Sequence, residues 1–169
     1  MATSQKNLSV YDKDKLPDAK DMKIGFVVSE WNPDITESLF QGGFDALLDV
    51  GVLKENIVRW NVPGSFELPY ACKKMQESFD MLDAIVAVGN VIQGETKHFD
   101  FVCQGLTQGI MELNLKGDIP VIFCVLTDNT KAQSEERSGG IHGNKGTEAA
   151  IAAIKMGQLR KDAKFYKAT

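Results

Sequence analysis

No apolar run in this 169-residue chain reaches the roughly 20 residues that a membrane-spanning helix requires, and Met1-Ala2-Thr3-Ser4-Gln5-Lys6 has no apolar segment of the signal-peptide kind. A membrane partner is therefore not expected, and the cytoplasm is the expected compartment. Cysteine is scarce: Cys72, Cys103 and Cys124 lie far apart among apolar neighbours, with no Cys-x-x-Cys pair and no clustered histidine. That excludes a disulfide framework and a closely spaced metal site, and it reads as three reduced thiols in a core. Positive charge is not in excess either. With a net charge of −4 and acidic and basic residues interspersed, no basic stripe is left to neutralise phosphates, so nucleic acid is not an expected partner. Nor does any internal repeat or low-complexity tract divide the chain. Its length suits one domain over 22–169 that buries a core without staples, preceded by an arm over 1–21.

What is present is organised around Gly89-Asn90-Val91-Ile92-Gln93-Gly94-Glu95-Thr96-Lys97-His98-Phe99. The run before it, Ala84-Ile85-Val86-Ala87-Val88, is short and mostly β-branched, as in a strand buried on both faces. Beyond it, Phe99, Val102, Leu106, Ile110 and Leu113 recur at helical spacing. Gly94, Glu95 and Thr96 then present backbone N–H groups at a helix N-terminus, where phosphate or another anion is favoured. His98 follows in the first turn, which brings a titratable imidazole close to an anion site.

The rest of the chain alternates strand and helix. Strands are expected over 22–28, 56–62, 84–88 and 119–126, and helices over 33–50, 67–79, 98–116, 132–137 and 147–159. Asn32-Pro33 reads as a helix cap followed by a first-turn proline. Gly42-Gly43 inside a helix implies that another backbone approaches there. The alternation in Asn7-Leu8-Ser9-Val10-Tyr11 fits either an edge strand added to a neighbouring subunit's sheet or a loose tail. Alternating strands and helices imply right-handed crossovers and a four-stranded parallel sheet with helices on both faces, a flavodoxin-like three-layer α/β sandwich. Ligands of such sheets bind beyond the strands' carboxyl ends, where every unusual segment of this chain falls.

Six segments resemble the lumazine synthase family in order and spacing. They are Ser29-Glu30-Trp31-Asn32, Val62-Pro63-Gly64-Ser65-Phe66-Glu67-Leu68-Pro69, the stretch from Gly89 to Phe99, Pro120-Val121-Ile122-Phe123, Glu136-Arg137 and Gly143-Asn144-Lys145-Gly146. The resemblance implies condensation of 5-amino-6-(D-ribitylamino)uracil with 3,4-dihydroxy-2-butanone 4-phosphate, the penultimate step of riboflavin biosynthesis. It implies no cofactor and no metal. It places substrate phosphate on Glu95, Thr96 and Arg137. A Glu95 carboxylate would repel phosphate, so its backbone N–H is the contact, while the planar fork of Arg137 suits phosphate oxygens. Taken alone, Arg137 reads as a solvated helix charge and His98 as a surface histidine; the resemblance makes His98 the general acid/base.

The same resemblance puts Trp31 on the substrate's pyrimidine ring, where many relatives carry a smaller aromatic. It puts Ser65, Phe66 and Glu67 along the ribityl chain and ring edge, and Asn90, Val91 and Ile92 along the pyrimidine edge. Phe123, which its strand context makes a core residue, matches a family residue that reaches the site from a neighbouring subunit, as Arg137 does. A homopentamer with sites at subunit interfaces is implied, and the turn from Ser138 to Gly146, which carries no extra insertion, resembles members that assemble twelve pentamers into an icosahedral shell, so the final assembly is of five or of sixty chains. Gly105 and Gly109 are compatible with packing around the five-fold axis, and His142 reads as a surface residue. The competing readings are a non-catalytic flavin or lumazine binder, a shell-forming homologue with vestigial sites, and a generic FMN domain. The last is poorly served by Ser29-Glu30-Trp31-Asn32 as a phosphate loop.

Overall fold

The computed structural model describes residues 7–168, the side chains of 167 and 168 aside. Its elements run β1 (Ile24–Ser29), α1 (Pro33–Asp49), β2 (Ile57–Val62), α2 (Leu68–Ser78), β3 (Ala84–Ile92), α3 (His98–Lys116), β4 (Val121–Asp128) and α4 (Lys131–Arg137), then β5 (Ser138–Gly140), β6 (Gly143–Asn144) and α5 (Lys145–Ala168). The first four strands form one parallel sheet in the order β2-β1-β3-β4, and β5 and β6 form a small antiparallel hairpin. This is the expected flavodoxin-like sandwich. Among the described residues no helix is long and apolar enough to cross a membrane.

Strand alternation sorts side chains between two cores. Ile24, Phe26 and Val28 of β1 and Ala84, Val86 and Val88 of β3 face α1 and α5. Val27, Ile85 and Ala87 face α2 and α3 on the other side. The two inner strands are apolar until their carboxyl ends, where Ser29 and Asn90 lie, because helices cover both faces, whereas β2 at the sheet edge is mostly half-buried. Burial pushes the Cys72 thiol up, and the Cys124 thiol up to about 12. All three cysteines are unpaired.

α5 crosses α1 at very close range, which explains Gly42-Gly43. A Cβ on Gly43 would lie 3.0 Å from the Gly146 carbonyl, and a Cβ on Gly146 would collide with the Leu39 carbonyl. Alanines Ala149, Ala150 and Ala153 continue the contact as a thin, buried surface. Thr147 Oγ1 donates to the Gly42 carbonyl at 3.1 Å, and Asn144 Nδ2 to the Ser38 carbonyl at 2.8 Å.

Several boundaries differ from expectation. β3 does not stop at Val88 but runs to Ile92, because β4 keeps pairing through Gly89, Asn90, Val91 and Ile92. Gly89 is a close-approach glycine within the strand: its missing Cβ leaves room for Ser65 Oγ at 2.7 Å and Leu68 Cδ1 at 2.9 Å. α5 continues past 159 because Arg160 and Lys164 both pair with Asp118 at 2.7 Å and Lys161 pairs with Asp83 at 3.2 Å. The glycine-rich turn is the β5–β6 hairpin. Gly105 and Gly109 face the chain's own interior, where their Cβ atoms would meet the Phe66 ring at 2.9 Å and Pro69 at 2.8 Å.

Of the arm, residues 1–6 lie outside the described residues, and 7–21 rest against the domain. Leu8 and Ala19 are buried. The Leu8 N–H donates to the His142 carbonyl at 2.8 Å, the Asn144 N–H to Ser9 Oγ at 2.9 Å, and Lys13 pairs with Asp49 at 2.6 Å. Leu8 and Ser9 form a turn rather than a strand. His142 is correspondingly half-buried, with Nε2 3.7 Å from Glu136 Oε2.

Candidate active site

The loops that follow β1, β2 and β3 meet at the carboxyl edge of the sheet around a groove of about 360 Å³. Trp31 stands at one wall, 68% exposed, with its N–H donating to Ser29 Oγ at 3.2 Å. Phe66 and Glu67 form a second wall from the short turn before α2, and both are exposed. Val91 and Ile92 contribute the end of β3. Thr96 and His98 close the far end at the start of α3, where the Thr96 hydroxyl accepts the His98 N–H at 3.3 Å. Glu95, between Gly94 and Thr96, is exposed. A two-residue reach from a hydroxyl to an N–H is the local bond that turns a chain into a helix start, so the sequence Thr-Lys-His shapes this end by itself.

Beneath the groove lies a buried polar network. Asn90 is 1% exposed on β3. Its Oδ1 accepts from Asn32 Nδ2 at 2.7 Å, and its Nδ2 donates to Ser134 Oγ at 2.8 Å. Ser134 donates onward to Asp128 Oδ2 at 2.9 Å. Where β1 has ended and no longer pairs with β3, the Ser65 hydroxyl takes its place: it accepts the Asn90 N–H at 3.1 Å and donates to the Asn90 carbonyl at 3.2 Å. Ser65 is thus buried, with its hydroxyl committed to β3.

Asn32 is not the side-chain cap expected of it. Its backbone is left-handed, φ 56°, and its amide turns away from the helix toward Asn90. The α1 N-terminus is served instead by Pro33, which has no N–H to satisfy, and by the Asn32 carbonyl, which accepts from Ile35 at 3.0 Å and Thr36 at 3.1 Å. Asn32, Ser134 and Asp128 were not legible as partners. The available signal was Asn90 itself, an amide amid an apolar strand that has to find donors and acceptors somewhere.

Phe123 and Arg137 do not join the groove within this chain. Phe123, half-buried on edge strand β4, lines a separate shallow hollow with Asp100, Cys103 and Thr127. Arg137 ends α4, where Nη1 donates to the Gln133 carbonyl at 2.8 Å. A larger hollow of about 780 Å³ lies between α2 and α3 at the opposite edge of the sheet. Charges in it pair with one another, as in Lys116–Glu112 and Arg160–Asp118, both at 2.7 Å.

Fold and groove define a doubly wound α/β protein that takes a small ligand beyond the carboxyl ends of its strands, with aromatic walls and a helix N-terminus suited to an anion. Residues 21–161 match the family model for 6,7-dimethyl-8-ribityllumazine synthase, and the chain belongs to that enzyme family. Relatives of that name include proteins from Christiangramia forsetii, 77% identical over 99% of each chain, and Flavobacterium johnsoniae, 64% identical over 96% of this chain and 85% of the relative. A relative from Porphyromonas gingivalis is 53% identical over 95% of this chain and 99% of its own.

Proposed function

We propose that this chain condenses 5-amino-6-(D-ribitylamino)uracil with 3,4-dihydroxy-2-butanone 4-phosphate to 6,7-dimethyl-8-ribityllumazine, phosphate and water. The observation that carries the reading is that a match to this enzyme family spanning 21–161 falls on a groove whose walls hold Trp31, Glu67 and His98 together. The pyrimidine stacks on Trp31, its edge is read by backbone groups at Asn90, Val91 and Ile92, and the segment of Ser65 and Phe66 holds the ribityl chain and ring edge. Glu67, an acceptor-only group, takes hydrogen bonds from ribityl hydroxyls. The Glu95 N–H, the Thr96 hydroxyl and N–H, and Arg137 bind the phosphate.

Chemistry begins when the pyrimidine's amine attacks the ketone and water leaves to give an imine. Loss of the proton from the hydroxyl-bearing carbon expels phosphate from its neighbour and leaves an enol, which tautomerises to a new carbonyl; the ribityl-bearing amine nitrogen then closes on that carbonyl with loss of a second water. Each step moves a proton to or from nitrogen, carbon or oxygen, the task of His98. Holding two substrates in one groove supplies the orientation.

The assembly is a cytoplasmic homopentamer with each site shared between neighbours, either as such or as the unit of a sixty-chain shell. Three observations support a shared site. Phe123 and Arg137 stand off the groove of their own chain. Only Leu106 and Ile110 of the 19-residue α3 are buried. On the same helix, Phe101, Met111 and Leu115 are exposed. The division into an arm over 1–21 and one domain over 22–169 is part of the same reading.

Absorbance at the lumazine band, followed with both substrates over the uncatalysed condensation, tests the activity: wild type no faster than buffer overturns it. Light scattering on the same sample separates a five-fold from a sixty-fold multiple of the 18.6 kDa chain. The indole of Trp31 has a broader face than a phenyl ring, worth ~1 kcal/mol in stacking. Trp31→Phe is accordingly expected to raise the riboflavin Kd about fivefold, and equal Kd values in a direct titration would contradict the stacking role.

A further inference from the structure

The buried network under the groove reaches beyond the site it supports. Its three side-chain bonds run in one direction, from the Asn32 amide through Asn90 and Ser134 to the Asp128 carboxylate. Each donor is polarised by the acceptor that follows, and the chain ends on a carboxylate. Asn90 and Ser134 are almost wholly buried, so neither can exchange its partner for water without cost. The Asn90 backbone is clamped by the Ser65 hydroxyl. With its backbone held there, the Asn90 side chain is the one link between Asn32 and Ser134 in this chain of bonds.

The two ends of this chain sit in different places. Asn32 directly follows Trp31 in a left-handed backbone position. Ser134 lies one helical turn before Arg137 on the short α4. We propose that Asn90 is a positioning residue that couples the Trp31 turn to α4, and that, because Arg137 serves the adjacent subunit's site, this hydrogen-bonded chain links neighbouring active sites around the ring. The proposal rests on the roles given above to Trp31 and Arg137. A flat ligand that favours one geometry of the Trp31 turn biases α4, and thereby the phosphate affinity of the next site; by linkage, phosphate biases ring binding equally.

The test uses the assembled full-length protein and two probes, riboflavin followed by quenching of its own fluorescence and inorganic phosphate. Riboflavin is titrated without phosphate and at saturating phosphate, in wild type, in Ser134→Ala, which cuts the chain at α4, and in Asn32→Gly, which cuts it at the other end while keeping a residue at ease in the left-handed region. Phosphate is expected to change the wild-type riboflavin Kd about fivefold. In both variants the ratio of the two Kd values falls to within about twofold of one. A merely structural defect would weaken both titrations and leave their ratio unchanged. A wild-type ratio of one, or the wild-type ratio retained in both variants, overturns the coupling alone. A wild type that binds neither probe overturns the functional reading and the coupling with it.

Discussion

Gly146→Ala is expected to destabilise the fold by at least about 3 kcal/mol, the upper part of the range for overpacking, and to lower Tm by roughly 10 °C for a chain of this size. The added methyl has nowhere to go. It would meet the Leu39 carbonyl of α1, with Asn144 Oδ1 at 2.9 Å on another side. Both are poor candidates for yielding: the first is helix backbone, and the second is held by the Gly146 N–H at 2.8 Å. Relief requires α5 to move off α1, which breaks the Thr147–Gly42 and Asn144–Ser38 bonds and opens the larger of the two cores. Gly51→Ala is the internal comparison. A Cβ there meets nothing, but φ is +95°, so only backbone strain of about 1–2 kcal/mol is incurred. Thermal unfolding by circular dichroism at one protein concentration measures both, and a Tm for Gly146→Ala equal to wild type would show that the helices separate freely.

His98→Ala should reduce turnover about a hundredfold or more, the usual contribution of a positioned acid/base, with smaller changes in the KM of either substrate. His98 is the histidine that lines the groove. The other, His142, lies on the β5–β6 turn beside Glu136 and does not line it. His142→Ala is therefore the control and should leave turnover within about twofold of wild type. Initial rates of lumazine formation, corrected for uncatalysed condensation, decide the matter. A His98→Ala enzyme as fast as wild type would leave orientation of the two substrates as the main source of rate.

The elements and their order could be read directly because they rest on local repetition. Largely apolar runs rich in β-branched residues over 22–28 and 84–88 and helical spacing from Phe99 onward each state which face is buried, and a chain of alternating strands and helices has few ways to close a parallel sheet. Gly42-Gly43 announced a close approach because glycine in a helix interior has a cost that something must offset. What approaches, the backbone at Gly146, is more than one hundred residues away. The same limit hid the length of β3, the inward role of Gly105 and Gly109 and the true partner of Asn32.

By itself, then, the sequence determined the layers, the loops that gather at the carboxyl edge and the family to which they belong. Only the tertiary structure decided that the Asn32 amide meets Asn90, that Ser65 completes β3, and that Phe123 and Arg137 stand outside the groove of their own chain. The physical reason is that periodicity records how a residue meets the core, which its near neighbours share. A hydrogen bond records which residue from elsewhere comes to lie opposite, and in this protein that is set by the strand order β2-β1-β3-β4.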